Sequence, residues 1–295
     1  EASATEDGGP VMVIGVAGVS MSLGAGGVEV LSVSEGRGAF LFNSEGIAGS
    51  LSVTADVAEG MPFAFAGRVT LELNTTGNAV ELKSTLGASE VEVDFTDADF
   101  VLRLSARDAT FRVLDQVLTG NFKVTAGENE VLFAMDAMSV ALSAGAVRLT
   151  AGAVEDEEEG NGSGQVVVNA QGVSGSIEFS TFSLTGVPDV SVSASTVALA
   201  FSTMEGPEEP DPFFRLSSGM ILTVLGQEFS GNLAMEVVDE NDDNGIEHRV
   251  IRIDAQALNV PIIIGGEEVI SLGGAGSFRI SDDGVAGFGS LGTGQ

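Results

Sequence analysis

The segment Asp239-Glu240-Asn241-Asp242-Asp243-Asn244-Gly245-Ile246-Glu247 is the one oxygen-rich constellation in the chain with ligand-like spacing. Asp239, Asn241 and Asp243 alternate ahead of Gly245 and Glu247, an arrangement suited to a hard cation such as calcium, which wants roughly six or more oxygens. The candidate ligand set is therefore Asp239, Asn241, Asp243 and Glu247, and calcium is the one cofactor the sequence provides for. The segment departs from a helix–loop–helix calcium loop: glycine falls at the seventh position, no glutamate sits at the twelfth, and strand-like runs flank it. The plainer expectation is a polar hairpin turn between Met235–Val238 and Val250–Ile253.

Other chemistry is poorly served. There is no Cys, Trp or Tyr and a single His, His248, so disulfides, thiolate nucleophiles, cysteine zinc sites and multi-histidine metal centres are excluded. No G-x-S-x-G nucleophile elbow accompanies His248, which follows Glu247 at the start of a strand and reads as a surface residue. Gly287-Phe-Gly289-Ser-Leu-Gly292 formally satisfies G-x-G-x-x-G, but a dinucleotide site needs a following helix and only three residues remain. The 43 acidic residues supply many carboxylate pairs, yet the Trp and Tyr that commonly line glycan-processing clefts are missing. The expectation is a non-enzymatic protein. A net charge of −31 makes nucleic acid an unfavourable partner. No run approaches the roughly 18 apolar residues of a membrane span, and no signal peptide precedes Glu1, so the sequence reads as a processed product or a piece of something longer.

The elements that carry these residues are strands. Val69, Leu71 and Leu73 alternate with Thr and Glu; Val91, Val93 and Phe95 alternate with Glu92 and Asp94; Val197, Leu199 and Phe201 alternate with Ala. Period-two alternation gives one buried and one wet face, and clusters of Gly, Asn, Asp and Ser between the runs supply turns. Phe40, Phe42, Phe63, Phe65, Phe95 and Phe111 sit at such alternating positions and read as core. No window carries apolar residues at helical spacing. The expected fold is all-β: an elongated tandem array of predominantly antiparallel units, meander or sandwich or solenoid-like.

Internal repetition organises the chain. Gly38-Ala-Phe40-Leu-Phe42-Asn-Ser-Glu-Gly46-Ile-Ala-Gly49 recurs as Gly164-Gln-Val166-Val-Val168-Asn-Ala-Gln-Gly172-Val-Ser-Gly175 and as Gly276-Ser-Phe278-Arg-Ile280-Ser-Asp-Asp-Gly284-Val-Ala-Gly287. Each copy reads as a hairpin in which Gly46, Gly172 or Gly284 takes the positive φ of the turn. Further blocks follow in one order. Val69-x-Leu71-x-Leu73-Asn74-Thr75 matches Val197-x-Leu199-x-Phe201-Ser202-Thr203, Arg103-Leu-Ser105 matches Arg215-Leu-Ser217, and Val113-Leu-Asp-Gln116 through Gly120-Asn-Phe122 matches Val224-Leu-Gly-Gln227 through Gly231-Asn-Leu233. Met135-Asp136-Ala137 pairs with Ile253-Asp254-Ala255 on the same reading. Leu23 to Val30 resembles Leu142 to Leu149, the end of a unit.

The organisation expected is a tail of a preceding unit (1–33), one unit (34–152), an acidic Gly-rich linker (153–163) containing Glu155 to Glu159, a second unit (164–272), and the first hairpin of a further unit (273–295).

These blocks resemble tandem repeats of very large bacterial surface or secreted proteins, adhesin-like and fibre-forming. The resemblance implies an extracellular or cell-surface location and an array whose partners are copies of itself or adjacent repeats, head to tail; it transfers no active-site residue. The function expected is a structural segment of an extracellular fibre, stalk or adhesin whose ends are completed by neighbouring chain. The alternatives are a β-groove carrier of lipid or another hydrophobic ligand, and a calcium-dependent adhesin for cell-surface glycan.

Overall fold

The computed structural model describes residues 12–57, 60–86, 89–95, 101–153, 160–204, 212–241, 247–264, 267–281 and 284–293. They form no helix, and so none long and apolar enough to cross a membrane. The strands in the first half are β1 (Met12–Ala25), β2 (Val28–Phe42), β3 (Ile47–Val57), β4 (Phe63–Asn74), β5 (Val80–Leu86), β6 (Ser89–Phe95), β7 (Val101–Val113), β8 (Gln116–Ala126), β9 (Glu130–Ala144) and β10 (Val147–Ala151). The second half holds β11 (Gly162–Asn169), β12 (Gly172–Phe179), β13 (Phe182–Thr185), β14 (Val190–Ala194), β15 (Val197–Ser202), β16 (Phe213–Val224), β17 (Gln227–Asn241), β18 (Glu247–Ile264), β19 (Glu267–Ser281) and β20 (Gly284–Thr293). Eighteen strands belong to one sheet, and β5 and β6 pair separately as a hairpin. The all-β, antiparallel expectation holds.

Contacts divide the chain into two compact units. The first comprises Glu1–Phe111, Asn121–Ala134 and Val167–Gln171. Here β1, β2, β3 and β4 follow one another as an antiparallel meander. The alternation of β4 turns Phe63 and Phe65 inward, where they meet Phe111, Phe122 and Phe133. Phe63 stacks on Phe111 with ring centroids 5.0 Å apart, and Phe65 meets Phe122 edge-on at 5.4 Å. Phe111, Phe122 and Phe133 are all at most 2% exposed, and burying each contributes about 1.5–3 kcal/mol. The core reading thus holds for Phe63, Phe65, Phe95 and Phe111, whereas Phe40 and Phe42 are half-buried.

The second unit comprises Arg112–Gly120, Met135–Val166 and Gly172–Gln295. In it β12, β15, β16, β17, β18, β19 and β20 pair in succession, all antiparallel. Ile177, Leu199, Leu216, Met235 and Ile253 form its buried face. β10 pairs with β9 and β13, and β11 also pairs with β9. The acidic run therefore sits in a connection between two strands that share a neighbour. Residues 154–159 lie outside the described ones, but the base of the connection is closed: Asn161 N–H donates to Gly152 O (2.9 Å) and Gly160 N–H to Ala137 O (3.2 Å). β2 runs unbroken over the equivalent path. Residues 28 and 147 are 119 apart in sequence and residues 38 and 164 are 126 apart, so the second copy carries seven extra residues at this place.

Two local features fix the register of the repeat. The V-L-[DG]-Q blocks are two-residue turns with both central φ positive, +47° and +60° at Leu114-Asp115 and +51° and +79° at Leu225-Gly226. That is the geometry whose twist suits a tight hairpin, and it closes Val224 onto Gln227. Further on, Ala257 (φ +52°) sits at a bulge of the β17–β18 pairing beside Gly231, and Ala137 has the same backbone angle (φ +50°) beside Gly120. The structural equivalent of Ala137 is thus Ala257, two residues beyond the Ala255 suggested by sequence. A shift of two leaves every side chain on its own face, which is why alternation alone does not detect it.

Candidate functional site

The site built most consistently is the glycine hairpin and the strand that covers it. In the first copy Asn43 Oδ1 accepts the N–H groups of Glu45 and Gly46, each at 2.9 Å, which folds the turn. In the second, Asn169 Oδ1 accepts the N–H of Gln171 at 2.9 Å. Gly46, Gly172 and Gly284 have φ of +156°, +146° and +123°, values that residues with a side chain seldom adopt. A methyl group at Gly46 would fall 2.5 Å from Thr75 Oγ1, and one at Gly172 would fall 2.6 Å from Thr203 Oγ1; at Gly284 it would meet nothing within 4 Å.

Those threonines clamp the residue after the turn. Thr75 N–H donates to Ile47 O (2.8 Å) and Ile47 N–H donates to Thr75 Oγ1 (2.9 Å). Thr203 N–H donates to Val173 O (2.8 Å) and Val173 N–H to Thr203 Oγ1 (2.9 Å). The preceding residue caps the clamp, Thr76 N–H donating to Asn74 Oδ1 and Met204 N–H to Ser202 Oγ, both at 3.0 Å. Asn74 is fully buried and its amide is satisfied by Asn78 O at 2.9 Å.

One aromatic ring lies over the second glycine of each hairpin. Phe40 of β2 faces Gly49 of β3, with Leu73 of β4 on the other side. In the second copy the order is reversed: Val166 is on the β11 side of Gly175 and Phe201 of β15 supplies the ring, 2.5 Å from where a Cβ would sit. In the third, Phe278 faces Gly287 across β19–β20, 2.6 Å from that position. Close approach also explains the leading glycine: a methyl group at Gly38 or Gly164 would overlap the carbonyl oxygen of Ser50 or Ser176.

The acidic candidate ligands occupy the hairpin end of β17 and β18. Asn241 and Glu247 are register partners, and Asp243 lies outside the described residues. Asp239 is engaged by Arg249, whose Nε lies 3.1 Å from its Oδ1 and whose Nη2 lies 3.4 Å from its Oδ2. This pair belongs to a ladder of charge: Glu236 accepts from Arg215 Nε (2.6 Å) and Arg252 Nη2 (2.8 Å), and Arg279 Nε lies 3.1 Å from Glu240 Oε2. Among the described residues no group of three or more His, Asp or Glu is arranged to hold a metal ion. His248 is exposed and opposite Glu240. Gly287, Gly289 and Gly292 all lie within strand β20. An open depression in the second unit is lined by Ser193, Ser195, Gly219, Ser230 and Asn232, without a charged side chain.

Two parts of the site escaped the sequence reading. The threonine clamp was present in it as the matched Asn74-Thr75 and Ser202-Thr203. The exchange of ring between Phe40/Leu73 and Val166/Phe201 was present as a reciprocal departure from the block consensus. No family model, curated protein or solved structure matches this chain.

Proposed function

We propose that the chain is a structural, non-enzymatic segment of an extracellular fibre, stalk or adhesin, in which repeated β units continue one another through strand pairing. The supporting observation is the recurrence of one device in different copies: turn glycine, threonine clamp with 2.8 and 2.9 Å hydrogen bonds, and a ring over the second glycine. A device that fixes register and packing, and offers no converging reactive groups, is what selection for repetition produces. Copies of the same repeat, adjacent in a longer polypeptide or in other chains, are the proposed partners. The strongly acidic composition keeps such an assembly solvated and self-repelling.

The test is immunogold electron microscopy of the native source with an antibody raised against this chain. Gold spaced along surface fibres supports the reading. Gold confined to the cell interior, or on dispersed single particles, overturns it.

A further inference from the structure

We infer that the outer edge of β20 is a docking site for one kind of strand: a β4-type segment, V-x-L-x-L-[NS]-T, from another copy of the repeat. This rests on the structural reading above and names its partner. Three hairpins of the chain share the β20-type strand, and two of them have it covered. β3 is covered along its far edge by β4, from Ala48↔Asn74 to Ala55↔Gly67. β12 is covered by β15, from Ser174↔Ser202 to Phe179↔Val197. β20 is the third copy of the same strand and pairs with β19 from Leu272↔Thr293 to Ser281↔Gly284, but no equivalent second register is found for it among the described residues. Burial agrees. Gly49, Leu51 and Val53 are buried, whereas Gly287 and Gly289 are exposed and Phe288 is 80% exposed.

Register then says which backbone groups await the strand. Ile47 and Val173, each following its turn glycine, direct N–H and C=O to a threonine of the covering strand. Val285 holds the same place after Gly284 and faces Ile280 as Ile47 faces Phe42. Its N–H and C=O therefore lie on the outer edge, where an added strand contributes main-chain hydrogen bonds. Volume sets the side-chain preference. Where the ring comes from the preceding strand, as Phe40 does, the covering residue is Leu73; where the preceding strand offers Val166, the covering residue is Phe201. Phe278 puts β20 in the first class, so leucine fits over Gly287 and phenylalanine overpacks it.

The experiment uses the full chain and a fluorescent peptide with the sequence of residues 67–76, read by anisotropy and by amide hydrogen exchange. The peptide is expected to bind saturably and to slow exchange at Val285 and Gly287. A Thr75→Val peptide should bind about fivefold more weakly, the loss of one hydrogen bond, and a Leu73→Phe peptide should also weaken. Val285→Pro, which removes the outward N–H at an edge position that tolerates proline, should abolish binding while circular dichroism stays native; the peptide variants carry the test if it does not fold. Absence of binding, binding without protection of these two amides, or equal or tighter binding of the Leu73→Phe peptide overturns the inference. So does self-association of the chain through β20 that the peptide fails to compete. Gold on fibres together with any of these results would leave the structural reading standing and remove only the edge assignment.

Discussion

Phe40 lies directly across the β2–β3 hairpin from Gly49, and its ring occupies the space that a side chain at Gly49 would need. Gly175 is covered from the opposite side, by Phe201. The two arrangements conserve volume by exchanging a ring between the strands that flank the glycine. Phe40→Val should therefore cost about 1–2 kcal/mol through the space it leaves, and Leu73→Phe a similar amount through overpacking. The double substitution recreates the second copy's arrangement in the first and should return to within about 1 kcal/mol of the parent. Urea denaturation of the four proteins measures the cycle.

The threonine clamps should act as independent, equal contributions. Thr75→Val and Thr203→Val each remove one side-chain acceptor from a strand-start N–H, so each should cost about 0.5–1.5 kcal/mol. Because the clamps belong to different copies, the double substitution should equal the sum of the singles within about 0.5 kcal/mol. Thermal unfolding of the three variants checks both statements.

Glu236 holds Arg215 and Arg252 on two flanking strands at 2.6 and 2.8 Å, and Arg252 is itself the register partner of Arg279. Replacing it by Gln leaves three cations in a row across the sheet. The loss should be about 1–2 kcal/mol at low salt, and smaller at 1 M salt, where charges are screened beyond about 3 Å. Urea titrations at the two ionic strengths give the difference.

At the acidic hairpin Arg249 already donates one hydrogen bond to each oxygen of Asp239, which lowers the negative charge that the carboxylate offers a cation. The expected result is a melting temperature that moves by less than about 1 °C between chelator and millimolar calcium, since ligand stabilisation grows as RT ln(1 + [L]/Kd). A rise of several degrees would place a cation among Asp239, Asn241, Asp243 and Glu247.

Strand identity was legible throughout because alternation is a property of each strand alone: Val197, Leu199 and Phe201 announce their buried face without reference to a partner. The turn glycines were legible because one residue type tolerates their φ. What depends on neighbours was not. The equivalence of Ala137 with Ala257 is hidden by the period of two. That β10 and β11, on either side of the acidic segment, both pair with β9 is a relation set by long-range pairing. The arginine ladder joins Arg215, Arg252 and Arg279 from three strands, and nothing local to any one of them marks the other two.

On the proposed function, units of this chain are continued by strand pairing at their edges. Hydrogen exchange at Val285 and Gly287, compared between the isolated chain and the assembly recovered from its native source, tests it most directly. Strand pairing predicts that both amides exchange rapidly in isolation and become protected in the assembly, alongside unchanged protection of Ile47 and Val173. Equal, rapid exchange at Val285 and Gly287 in both samples would contradict it.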